Sequence, residues 1–194
     1  MSNGFKDLEK LKTKSYVKSM NCGDFNFDFN YYDEENNIKV DLFSDIAENI
    51  VKECFKFNVD SDYERRWNKK LNDWEFKSKY KNNKWDNKLP KNERKLIKNI
   101  SLNQVRKFYN EFLNYKIIID NSENNQEIFK KQLPYIRMLK AKANVAYQRG
   151  HINTNFKMFI EGNIDYIKDD MDKFNIFVTF FEAVVAYSKG ILKD

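Results

Sequence analysis

The side chains able to do chemistry are few, and their spacing decides what they are for. The chain has one histidine, His151, directly after Gly150 in a turn between helical patterns. A general acid or base needs a partner to orient it, and no serine, cysteine or carboxylate stands where it would supply one, so His151 reads as a surface or capping residue. Arg149 is two residues upstream, not at the arginine-to-histidine spacing of helical ribonucleases. Asp169, Asp170 and Asp172 offer themselves as metal ligands, but adjacent helical positions point apart, and acids at a helix start are accounted for by its dipole. Cys22 and Cys54 match no zinc spacing and can pair only once. Cys54 falls on an apolar helical face and is expected as a buried structural thiol. There is no glycine-rich phosphate loop and no nucleophile elbow. The expectation is a protein that is not an enzyme, with no catalytic residue, metal or cofactor.

Cations remain. Lys and Arg number 35 against 29 Asp and Glu, a net charge of +6. Between Ser61 and Lys98 there are 13 basic and 6 acidic residues, an excess of seven, which leaves the rest of the chain near neutral at 22 against 23. The same stretch holds all three tryptophans, Trp67, Trp74 and Trp85. Cations interleaved with aromatics suit single-stranded nucleic acid, because the first track phosphates and the second accept stacked bases. The same tryptophans would equally well pin an insertion to a core. Elsewhere the cations lie in rows: Lys130 and Arg137, and Lys142 and Arg149, stand about two helical turns apart.

Those cations need helices to carry them. Five glycines and two prolines in 194 residues argue for long helices. Met171, Phe174, Val178, Phe181 and Val185 repeat at helical spacing, and Phe177, Phe180, Val184 and Tyr187 add a second seam, so this helix belongs in the middle of a bundle. Before it, Asn153 to Lys168 buries Phe156, Phe159, Ile160, Ile164 and Ile167. Ser101 and Gln104 form a capping box opening a helix that buries Leu102, Val105, Phe108, Tyr109, Phe112, Leu113 and Ile117. Pro134 divides the next segment, giving a short helical piece up to Gln132 and a main helix from Leu133 to Arg149, with Ile136, Leu139, Ala143 and Ala146 as its core stripe and Gly150 ending it. A first helix runs from an Asp41 N-cap to Phe57, with Phe43, Ile46, Ala47, Ile50 and Cys54 on one face.

The sequence therefore predicts an all-α, compact bundle of about five helices forming one domain over residues 41–190. Residues 1–40 are read as an irregular arm: Phe25, Phe27 and Phe29 alternate with polar residues, a period of two that permits a short strand or an extended arm docking its aromatics on a surface, of which the arm is the reading taken. Residues 58–98 are a basic aromatic insertion, partly helical at best, with Trp67, Leu71 and Trp74 on one helical face. The opening residues are too polar for a signal peptide, no window approaches a spanning helix, and a reducing cytoplasm is the expected location without membrane contact.

Three stretches in this order carry a family resemblance: Ser101-Leu102-Asn103-Gln104-Val105-Arg106-Lys107-Phe108-Tyr109; Leu139-Lys140-Ala141-Lys142-Ala143-Asn144-Val145-Ala146-Tyr147-Gln148-Arg149-Gly150; and Phe180-Phe181-Glu182-Ala183-Val184-Val185-Ala186-Tyr187. Together they resemble the small subunit of the type III-A CRISPR (Csm) effector complex, over roughly Asn99 to Gly190. The resemblance implies an all-helical subunit without catalytic activity, whose copies stack head to tail as an inner filament. Its partners would be copies of itself, the backbone subunits that hold the guide RNA, the large subunit, and both the target RNA and the guide RNA. Carried over by position, Arg106, Lys107, Lys140, Lys142 and Arg149 face RNA; Arg137 is added from helical geometry. Two other readings stay open: an assembly subunit whose cations meet acidic faces of its neighbours, and a stand-alone nucleic-acid-binding helical protein, which would want a recognition helix after a tight turn.

Overall fold

The computed structural model describes residues 19–22, 25–55, 63–68, 70, 73–78 and 100–192. Strands β1 (Ser19–Cys22) and β2 (Phe25–Asp28) form an antiparallel hairpin. A helix α1 spans residues 42–55, and a second antiparallel hairpin joins β3 (Tyr63–Asn68) to β4 (Asp73–Ser78). Four helices follow: α2 (Leu102–Asp120), α3 (Asn125–Gln148), α4 (Thr154–Ile167) and α5 (Met171–Ile191). Each of these packs on the next and α5 returns to α2, closing a ring, with α1 packed on α5 and α4. The all-α bundle expected from the sequence is the fold, with two small hairpins added to it.

The greasiest helix is the central one. Phe174, Phe177, Phe180, Phe181 and Val184 of α5 expose no surface. Asp170 caps its start by accepting from the Lys173 N–H at 3.1 Å. The Phe181 ring is the hub: Phe159 lies 5.3 Å away, Phe177 5.6 Å and Tyr109 5.7 Å, with Phe112 and Phe156 just beyond. The expectation that no window approaches a spanning helix is too strict here. Among the described residues α5 alone is long and apolar enough to cross a membrane by length and composition, and it meets other helices instead.

The reading of residues 1–40 as an arm with surface-docked aromatics is replaced, where they are described, by a hairpin wedged into the core. Phe27, Phe29 and Tyr31 are buried while Asn26, Asp28 and Asn30 between them are exposed, so the period of two is a strand pattern that runs inward on one side. Tyr31 donates its hydroxyl to Asn163 Oδ1 at 2.5 Å, and burial pushes its phenol well above the ordinary tyrosine value. Asn163 in turn donates to the Phe159 carbonyl, so this buried polar pair is satisfied. Phe29 lies against Gly162, and a Cβ on Gly162 would stand only 2.2–2.6 Å from three of its ring atoms. Gly162→Ala is therefore expected to destabilise the subunit by about 1–3 kcal/mol through overpacking, although alanine is the better helix former. Urea unfolding would read this, and an increase in stability would show that the hairpin is not seated on α4.

Three further local expectations change. First, α3 is continuous through Pro134. The missing N–H costs one helical bond, about 3 kcal/mol with the ring clash. Buried Phe129 and Ile136 on either side hold both halves in line, and Phe129 packs on Phe174 at 5.6 Å. Second, α1 is wound as π-helix at Leu42–Ile46 and Ile50–Phe55. Such winding brings residues four to five apart onto one face, so Leu42, Ala47, Val51 and Phe55 are buried while Phe43 and Ile46 are only half-buried. The Asp41 side chain caps nothing; its carbonyl accepts from the N–H groups of Ser44 and Ile46. Third, Trp67 and Trp74 are paired across the β3–β4 hairpin, not on one helical face. A separation of seven fits both arrangements, and the backbone register places the two residues opposite each other.

Cys54 is buried as expected, but it is disulfide-bonded, not a free thiol. Residues 1–18, Phe57 and the part of the insertion bearing Trp85 lie outside the described residues.

Candidate nucleic-acid interface

Caps set the two helices that carry most of the expected RNA-facing residues. Ser101 Oγ accepts from the Gln104 N–H at 3.3 Å, the half of the capping box that opens α2. Asn124 Oδ1 accepts from the Glu127 N–H at 3.2 Å and opens α3. A short turn makes the two antiparallel neighbours. At the far end of α3, Gly150 takes a positive φ of 69°. Its N–H donates to the Tyr147 carbonyl and the His151 N–H donates to the Ala146 carbonyl. That pair of bonds is the Schellman stop, which fixes Arg149 and His151 at the helix end.

Between α2 and α3 runs a groove of about 560 Å³. Gln104, Lys107, Phe108 and Glu111 of α2 form one wall. Met138, Ala141, Lys142, Val145, Ala146 and Arg149 of α3 form the other, with His151 at the mouth. Three of the six expected site residues, Lys107, Lys142 and Arg149, thus meet in one place. Lys142 Nζ lies 3.0 Å from both carboxylate oxygens of Glu111 across the groove. Both side chains keep a third or more of their surface in water, so this pair contributes about 0–1 kcal/mol and mainly sets where the lysine rests. Lys107 and Arg149 are exposed and have no ion-pair partner among the described residues. Three cations against one carboxylate leave the groove positive.

The other three lie elsewhere. Lys140 binds Asp165 of α4 at 2.6 Å. Arg137 donates to the Lys168 carbonyl at 3.2 Å, where a cation suits the C-terminal end of α4. Both fasten α3 to α4. Arg106 is half-buried and stands about 100° round α2 from Lys107, away from the groove. Sequence reasoning missed Gln104, Met138, Val145 and His151 as groove residues. A signal existed: Met138 and Val145 keep the same seven-residue interval as Lys142 and Arg149, apolar residues on an otherwise wet face.

No group of three or more His, Cys, Asp or Glu among the described residues could hold a metal ion. The class of protein that the fold defines is a capped all-α bundle, here with a positive groove between α2 and α3. The chain matches the family described as Csm2 Type III-A over residues 80–193, and it belongs to that family, the small subunit of the type III-A Csm complex of CRISPR defence. Neither a curated protein nor a solved structure matches it. The family is one of non-catalytic structural subunits that associate with the other subunits of the Csm complex.

Proposed function

We propose that this subunit stacks with copies of itself as an inner filament of the complex and holds target RNA in the α2–α3 groove through Lys107, Lys142 and Arg149. The observation that carries the reading is the convergence of those three cations on one groove with a single carboxylate between them. A subunit that must serve any target needs contacts to phosphate and sugar, which position without reading sequence, while guide pairing supplies the specificity. Arg149 offers a planar fork to phosphate oxygens; the lysines act as point charges. Binding by one subunit is weak and grows when copies line up, because linked sites raise the effective concentration. Arg137 and Lys140 serve the packing of α3 on α4, and Arg106 faces away from the RNA track.

Crosslinking of bound target RNA within the assembled complex tests this. Adducts on α2 and α3 around the groove are expected. Adducts confined to other subunits, in a complex that has retained this one, would assign the cations to subunit faces instead.

A further inference from the structure

Cations alone do not describe the groove. Between Lys107, Lys142 and Arg149 its floor is apolar: Met138 is 50% exposed and Val145 47%, with Phe108 and Ala141 beside them. Phosphates gain nothing from such a floor, and a ribose presents less apolar surface to it than the face of a base. A paired base in a guide–target duplex is stacked within an A-form helix and cannot reach it. An unpaired base can, since its faces are apolar and stack or pack on side chains irrespective of sequence.

Resting on the RNA reading above, we infer that the groove seats an unpaired nucleotide of the bound RNA. Its base lies on Met138 and Val145, and Lys107 and Arg149 hold the flanking phosphates. Position on α3 supports this. Met138, Lys142, Val145 and Arg149 succeed one another at intervals of four, three and four residues, so apolar and cationic groups alternate along one face. A track that met only a continuous backbone would need the cations without the two apolar residues. A seat for every base type also fits a subunit that must accept any target, because packing on a base face carries no hydrogen-bond code.

The test uses the assembled complex and target RNAs in which a single abasic site is walked through the bound region. Affinity is compared between the native complex, one carrying Met138→Ser with Val145→Ser, and one carrying Lys107→Glu. An abasic site also removes any pairing with the guide, so the seat is read from the difference between complexes. At the seated position the native complex is expected to bind the abasic RNA about fivefold more weakly than intact RNA, the order set by exposing part of two apolar side chains. The double serine complex should show no such extra loss there. Lys107→Glu should weaken every RNA alike. If no position distinguishes the native from the double serine complex while Lys107→Glu still weakens binding, the base seat is overturned and the RNA groove stands. If Lys107→Glu changes nothing, the groove is not an RNA site and the seat falls with it. A double serine subunit that folds but no longer enters the complex would assign the apolar floor to a neighbouring subunit and overturn the proposal.

Discussion

Phe181→Asp unfolds the subunit. Phe181 exposes no surface and its ring is surrounded by those of Tyr109, Phe112, Phe156, Phe159 and Phe177, drawn from α2, α4 and α5 itself. Losing the ring alone costs about 3–5 kcal/mol. A carboxylate in its place finds no cation among these neighbours, and burying an unpaired charge adds several kcal/mol more. Domains of this size hold about 5–15 kcal/mol in all, so the sum approaches or exceeds what is available. Circular dichroism would show loss of the helical signal, whereas a folded variant with native melting would place the core elsewhere. Phe181→Leu separates shape from charge: it keeps an apolar filler and should leave the subunit folded with a lower melting temperature.

Reversing charge at Lys107 and Arg149 together has the opposite character. Both are exposed and have no ion-pair partner among the described residues, so Lys107→Glu with Arg149→Glu should change stability by no more than about 0.5 kcal/mol per site. Target binding by the assembled complex is expected to fall by about 10- to 100-fold at low salt, because two charge-assisted contacts become repulsive. The log-log dependence on salt should become shallower by about 0.7 for each phosphate no longer neutralised. Arg137→Glu is the contrasting control. It breaks the link to the Lys168 carbonyl and should show in stability before it shows in RNA binding. A double reversal that leaves both affinity and salt slope untouched removes these residues from the interface.

The helices were legible because their signals are local. Ser101 and Gln104 announce the start of α2, Gly150 the end of α3, and the apolar repeat of α5 its place at the centre, each within a few residues of the chain. The family signature rests on the same segments. Pro134 misled because the rule that a proline breaks a helix considers only one bond and one clash. What outweighs them is Phe129 packed on Phe174, a pairing of residues far apart in sequence. Phe27, Phe29 and Tyr31 misled for a related reason: alternation shows a strand, but not whether its apolar side meets a core or only a surface. Gly162, which makes room for Phe29, settles that from α4.

By itself the sequence determined that the chain is a helical bundle of this family, which residues are cationic and, π-wound α1 and the exposed Ile117 of α2 apart, which face of each helix is apolar, since composition and period are properties of contiguous residues. Only the tertiary structure decided which cations lie together. Lys107, Lys142 and Arg149 sit on two helices, and they share a groove because α2 and α3 pack antiparallel in one register. Lys140 and Arg137 carry the same charge on the same helix as Lys142, yet they turn toward α4 and meet Asp165 and the Lys168 carbonyl. A step of two residues turns a side chain about 160° away round the helix and a step of five about 140°, so neighbours in sequence part company in space while distant ones meet. Charge is written in the chain; the partner that each charge finds is fixed by packing.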